Sequence, residues 1–121
     1  MKKILLLIAC LFSLSAFGDE VTQCDIVTSK IPADAQILDV RSRVEYQLGH
    51  VPNAKLIPNK SLAERLGELN PKNPVIVYCH SGYRAGVAEK ILRDNGFEKV
   101  SQLQGHWSAW DSELSASMCP Q

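Results

Sequence analysis

Charge imbalance is missing from this chain, and long apolar runs are scarce. Thirteen basic residues face thirteen acidic ones, and no stripe of lysine or arginine gathers anywhere. A nucleic-acid surface needs such a stripe, so that class of partner is excluded. Neither a Gly-rich dinucleotide loop nor a lysine-bearing phosphate loop is present. No organic cofactor is therefore implied. Histidine is sparse as well: His50, His80 and His106 lie far apart, with no partners at usual ligand spacings. No metal site is expected, since four convergent ligands are normally needed. There is no internal repeat, no low-complexity segment and no break that marks a second domain.

The one marked apolar run is at the start. Lys2 and Lys3 precede it, it runs from Ile4 to Phe12, and Ala16 and Gly18 are small residues at signal-peptidase spacing. Residues 1–18 read as a secretory signal peptide, and residues 19–121 as one small mature domain. The run is too short and wrongly flanked for a convincing transmembrane span. Two other readings stand beside this one. One is a retained anchor; the other is lipidation at Cys10, because Leu7-Ile8-Ala9-Cys10 loosely resembles a lipoprotein box. Cleavage predicts a periplasmic or secreted protein with no membrane partner. Losing Lys2 and Lys3 leaves the mature chain slightly acidic.

Export places Cys24, Cys79 and Cys119 in an oxidising compartment. The count is odd, so at least one is free or pairs outside the chain. Cys24 and Cys119 lie near opposite ends, and domain termini are often close. A Cys24–Cys119 disulfide is expected, with Cys79 left reactive. The alternative is two separate thiols.

The chain is organised around its middle. Val75 to Tyr78 reads as a buried strand, Cys79 to Arg84 as a tight loop, and Ala85 to about Asn95 as a helix. Its apolar stripe is Ala85, Ala88, Ile91 and Leu92, and Gly96 suits a left-handed cap. Before this, Val21 to Ser29 reads as a short edge strand or an irregular arm. Ile37 to Val40 is a strand, Arg43 to Leu48 a short helix capped by Ser42, and Ala54 to Ile57 another strand. Ser61 opens a helical stretch with Leu62, Leu66 and Leu69 on one face. After the central helix, Val100 to Leu103 reads as a last strand. Trp107, Trp110 and Leu114 mark one side of a closing helix. Short apolar strands alternating with one-sided helices predict an α/β fold, a mostly parallel central sheet with helices on both faces. Ligands in such folds sit beyond the C-terminal ends of the strands, where Cys79 stands.

The loop residues suit a thiolate. A helix start offers backbone N–H groups and Arg84 a formal charge, and such surroundings favour the ionised sulfur. Gly82 lets the backbone turn inward. His80, Ser81 and Tyr83 can donate to a bound anion. A thiolate so placed can attack the outer sulfur of a sulfane donor, and the resulting persulfide can pass that sulfur to a second nucleophile. The plain alternative is a buried, inert cysteine that fills space.

Three stretches then carry a resemblance. The first is Leu38-Asp39-Val40-Arg41, with Glu45-Tyr46, Gly49-His50-Val51-Pro52-Asn53-Ala54 and Ile57-Pro58. The second is Tyr78-Cys79-His80-Ser81-Gly82-Tyr83-Arg84-Ala85. The third is Leu103-Gln104-Gly105-His106-Trp107-Ser108-Ala109-Trp110. In this order they resemble a single-domain rhodanese of the exported kind. The resemblance implies that Cys79 carries the persulfide and that Arg84 closes an electropositive loop. Asp39 and Arg41 would sit near the pocket, Asp39 in a structural and electrostatic part and Arg41 at the substrate; for Asp39 a plain strand-end cap is the other reading, and for Arg41 a surface charge or a salt bridge to Glu45. A six-residue loop, Cys79 and Arg84 included, resembles the sulfur-transferring members rather than their phosphatase relatives, whose loop is one residue longer. His106 departs from the family, which usually has a second glycine there, and its side chain could narrow the pocket or add a donor.

The implied activity is a thiosulfate sulfurtransferase. Its donor would be thiosulfate or another sulfane sulfur, and its acceptor cyanide, a thiol or a partner protein. A non-catalytic sulfur carrier or binding module, a phosphatase-like hydrolase and a thiol redox protein are the competing classes.

Overall fold

The structure, a computed structural model, describes residues 20–121. The expected signal peptide over residues 1–18, and Cys10 within it, lie outside the described residues. The chain forms α1 (Gln23–Val27), β1 (Gln36–Asp39), α2 (Arg43–Leu48), β2 (Lys55–Leu56), β3 (Val75–Tyr78), α3 (Tyr83–Asp94) and β4 (Val100–Gln102). The strands make one sheet in the order β2-β1-β3-β4, every pair parallel.

Both faces of this sheet are covered, which is why the central strand β3, Val-Ile-Val-Tyr, is apolar and buried at every position rather than alternating. Leu38, Val75, Val77 and Cys79 point to one face, against Ala85, Ala88 and Leu92 of α3 and against Leu62, Leu69 and Phe97. Ile37, Ile76 and Tyr78 point to the other, against Val21, Val51, Ala54 and Leu103, with Ile26, Tyr46, Trp107 and Trp110 packed around them. The alternation follows from the strand period of two.

Local chemistry sets the boundaries. Ser42 caps α2 through a reciprocal box with Glu45, so that helix begins at Arg43 as expected. α3 ends in a Schellman arrangement: the Phe97 N–H donates to the Leu92 carbonyl at 3.0 Å, and Gly96 takes φ 91° between them. α3 starts at Tyr83, two residues earlier than the apolar stripe indicates.

Three expectations are corrected. The segment after Val21 is neither a strand nor an irregular arm. Val21 makes a single parallel bridge to Leu103, and α1 follows, capped by a Thr22–Asp25 box. The stretch from Ser61 is two 3-10 turns, Asn59–Glu64 and Leu66–Glu68. Pro58 fixes its entry, Gly67 weakens a longer helix, and Leu62 still reaches the core. The closing helix is a single 3-10 turn, Trp107–Ala109. Its continuation is pre-empted by Gln23, whose amide donates to the Asp111 carbonyl at 2.7 Å and accepts the Asp111 N–H at 3.0 Å. The two tryptophans stack on each other, ring centres 6.2 Å apart, and pack against the core.

Cys24 and Cys119 are joined by a disulfide, and Cys79 is free and buried.

Candidate functional site

Three chain segments leave the C-terminal ends of adjacent parallel strands and meet at Cys79. β1 delivers Asp39 and Arg41, β3 delivers Cys79, and the turn after β4 delivers His106. A parallel sheet places these ends on one edge.

Cys79 follows the last residue of β3, and its side chain faces α3. Sγ accepts N–H bonds from Gly82 at 3.0 Å and from Ala85 at 3.3 Å. Both donors belong to the start of a twelve-residue helix, where peptide dipoles sum to a partial positive charge. They stabilise a negative sulfur. Gly82 makes this possible with φ 127°, a value L side chains rarely adopt. Cys79 is only 1% exposed, tucked beneath its own loop.

Arg84 closes the loop, but its guanidinium is committed elsewhere. It grips Glu45 of α2 in a two-pronged bridge, Nη1 to Oε1 at 2.8 Å and Nη2 to Oε2 at 3.0 Å. These bonds hold the Glu45 carboxyl down to about 2 and push the Arg84 guanidinium up. The negative charge offsets the field that Arg84 alone would supply. Glu45 thus matters to the site, through a role that sequence reasoning did not assign to it. The Ser-x-x-Glu box announced only its cap. The expected alternative of an Arg41–Glu45 bridge is overturned by this pairing.

Arg41 lies under the sheet edge, 2% exposed. It donates to Asp39 through Nη2 at 2.7 Å and to the Gly49 carbonyl at 2.7 Å. Its guanidinium lies 4.9 Å from the Trp107 ring and 5.4 Å from the Tyr78 ring. Burial disfavours its charge, yet the bonds to Asp39 outweigh that and hold its pKa above the ordinary value. The Tyr78 hydroxyl also donates to Asp39, at 2.6 Å, and accepts the Val51 N–H at 3.0 Å. Burial, with Asp39 beside it, pushes the Tyr78 phenol well up. An arginine so enclosed ties the end of β1 to the Gly49 turn and packs on Tyr78 and Trp107. It is not open to a substrate as the resemblance implied.

His80, Ser81 and Tyr83 are on the solvent side, Tyr83 81% exposed. His106 is on the inner side, 7% exposed, and its Nδ1 accepts the Cys79 N–H at 3.3 Å. Burial pushes this imidazole below its ordinary value, with Glu20 opposing. The neighbouring backbone is tied in as well, Trp107 N–H to the Cys79 carbonyl and Ser108 N–H to the His80 carbonyl, both at 3.0 Å. His106 stands at φ 54°, ψ −159°. A side chain in that region costs about 1–3 kcal/mol.

A groove of about 720 Å³ is present away from this site. It lies toward the other end of the sheet, lined by Ile26, Ile31, Pro32, Ile37 and Leu69. Its Lys55 and Glu68 bridge each other at 3.1 Å, and no cysteine lines it. Chemistry rather than volume identifies the site. Among the described residues no group of three or more His, Cys, Asp or Glu side chains could hold a metal.

Comparison with known proteins agrees with this geometry. The rhodanese-like domain family matches residues 25–113. YqhL of Bacillus subtilis, named as uncharacterized, is 35% identical over 82 residues, 68% of this chain and 65% of that protein. The thiosulfate sulfurtransferase GlpE of Pseudoalteromonas translucida is 32% identical over 82 residues, 68% of this chain and 78% of that protein. Among solved structures, the Alr3790 protein of Anabaena sp. superposes with a TM-score of 0.65 at 31% identity, covering 76% of this chain and 74% of that one. The chain spans 65% of YqhL and 41% of a Mycobacterium tuberculosis HTH-type transcriptional regulator that it also matches. The matched region takes in all four strands, α2, α3 and the cysteine loop between β3 and α3. With that coverage, the chain belongs to the rhodanese-like domain family.

Proposed function

We propose that the protein is a sulfurtransferase that carries sulfane sulfur on Cys79, in an oxidising compartment outside the cytoplasm. The observation that supports it most is the sulfur cradle, Gly82 and Ala85 N–H groups bonded to Cys79 Sγ at 3.0 and 3.3 Å. With thiosulfate, the thiolate attacks the outer sulfur, the S–S bond of the donor breaks, and sulfite leaves with the electron pair. Cys79 then holds a persulfide. A nucleophile takes the terminal sulfur and the thiolate returns; with cyanide the product is thiocyanate. The same N–H groups that steady the thiolate suit the charged persulfide, so no group need reorganise between the half-reactions. Burial of Cys79 favours slim donors and keeps water from the persulfide. The Cys24–Cys119 disulfide supports the compartment.

Mass spectrometry of the purified protein tests the reading. After thiosulfate, wild type should gain about 32 Da on Cys79, cyanide should remove it as thiocyanate, and Cys79→Ser should gain nothing. Loading without turnover to cyanide or thiols would move the reading to a sulfur carrier. No loading from thiosulfate or a polysulfide, with Cys79 shown reduced, would overturn both.

A further inference from the structure

One buried titratable ring beside the cysteine has no part in the chemistry above. His106 occupies a backbone region that is essentially glycine's, at φ 54°, ψ −159°. Glycine there would relieve the strain, yet a ring is present and points inward. Its Nδ1 accepts the Cys79 N–H at 3.3 Å, so Nδ1 is bare and the neutral ring carries its proton on Nε2. The Nε2 edge faces the other end of the loop, where a Cβ built on Gly82 would stand 3.3 Å from it. One ring therefore bonds the residue that bears the sulfur and faces the residue whose N–H donates to it, across the space a Gly82 side chain would fill.

We propose that His106 is a positioning residue and an acid-sensitive latch for the cysteine loop. The neutral ring holds the Cys79 amide and backs Gly82, which keeps the Gly82 N–H on the sulfur. Protonation at Nδ1 would set two donors against each other. The Cys79 bond is then lost, the ring must turn, and Gly82 loses its support. The titratable and charged groups around the ring are Glu20 on the N-terminal segment, the Cys79 thiol and exposed His80 on the loop, and Arg84 with Glu45 beyond Gly82. Glu20 favours the charged ring and burial opposes it more strongly. The latch therefore opens only on the acid side of the ordinary histidine range.

The test compares wild type, His106→Asn and His106→Gly from about pH 7.5 to about pH 5. Asparagine offers an acceptor near the place of Nδ1, tolerates positive φ and does not titrate. Glycine removes the ring and the strain. Three readouts are followed: the Cys79 amide by NMR, its alkylation by iodoacetamide, and the rate of sulfur loading from thiosulfate. In wild type the Cys79 amide should shift along the ring's own titration curve, and should not do so in either variant. His106→Asn should load sulfur within about threefold of wild type at the upper pH, and outpace it about tenfold at the lower. His106→Gly should melt no lower than wild type yet load about tenfold more slowly at the upper pH. A Cys79 amide blind to the ring's titration, or a glycine variant as fast as wild type, overturns the proposal. The loading readout rests on the sulfurtransferase reading; the amide and alkylation readouts do not. A wild type that loads no sulfur would therefore sink that reading while His106 is still decided by the other two.

Discussion

Asp39 shows how much one buried carboxylate organises. It is fully buried, and its side-chain partners come from the adjacent strand β3 and the loop after β1. It accepts Arg41 through the backbone N–H at 2.9 Å and through the guanidinium, and it accepts the Tyr78 hydroxyl. Each bond offsets the desolvation of a charge, and none is replaceable by water at that depth. Asp39→Asn keeps the shape but leaves the Arg41 charge unpaired. It should cost about 3–5 kcal/mol in urea unfolding, as breaking a buried pair on one side does. Removing the charge too, with Arg41→Met added, should recover a large part of that loss. A single-variant loss below about 1 kcal/mol would mean that Arg41 finds its counter-charge elsewhere.

Between elements, the tie that matters is α2 to α3. Glu45 and Arg84 are about one-third exposed, so their bridge stabilises by about 0.5–1 kcal/mol rather than the larger figure a buried pair would give. Its pH signature has a definite sign. The Glu45 carboxyl is held down to about 2, below its unfolded value of 4.5, so the bridge contributes fully above about pH 4.5 and is lost as pH falls toward 2. Glu45→Gln should therefore be less stable than wild type at neutral pH, and the two should converge in acid. Denaturation midpoints across that window check it, and parallel curves would refute the pairing. This tie also marks what could be read from the chain. β3 is an apolar run entered from Pro74, β1 and β4 carry short apolar stretches, and the α2 cap is a local motif, so each was legible. Cys79 was legible from its place after a strand and before a helix. Which arginine meets which carboxylate was not, because sheet register decides it: Asp39 lies opposite Tyr78 across β1 and β3, and Arg41 joins that pair. Nor was the short closing turn, since the side chain that ends it, Gln23, is 88 residues away. The ring of His106 was placed near the pocket by position, but its bond to the Cys79 amide depends on a backbone angle that no pattern encodes.

At the scale of the molecule, the N-terminal segment is tied down in three places, the Gln23–Asp111 pair being one. The Val21 N–H donates to Gln102 at 2.9 Å and the Gln104 N–H to Val21 at 2.8 Å, which clips the N-terminal segment to the β4 edge. The Cys24–Cys119 disulfide then closes 95 residues into one loop. Closing a loop of that length is worth up to about 4.7 kcal/mol in the chain-entropy model, and a native disulfide in a small domain typically contributes about 2–5 kcal/mol. The pairing also has a chemical consequence. A thiolate kept for sulfur transfer is a natural partner for disulfide exchange, and exchange needs access to the sulfur. Cys24 is half-buried, but Cys79 is 1% exposed, so its sulfur is not offered to the disulfide while the domain is folded. The double variant Cys24→Ser, Cys119→Ser should melt about 10 °C or more below wild type. Well below its melting temperature it should load sulfur on Cys79 at the wild-type rate. Thiol counting gives the complement: residues 20–121 hold one free thiol in the native protein, and reduction should expose three. Equal melting temperatures would mean that the β4 clip and the Gln23–Asp111 pair hold the N-terminal segment without the staple. A loss of loading in the cold would mean instead that the staple reaches the cysteine loop through the sheet.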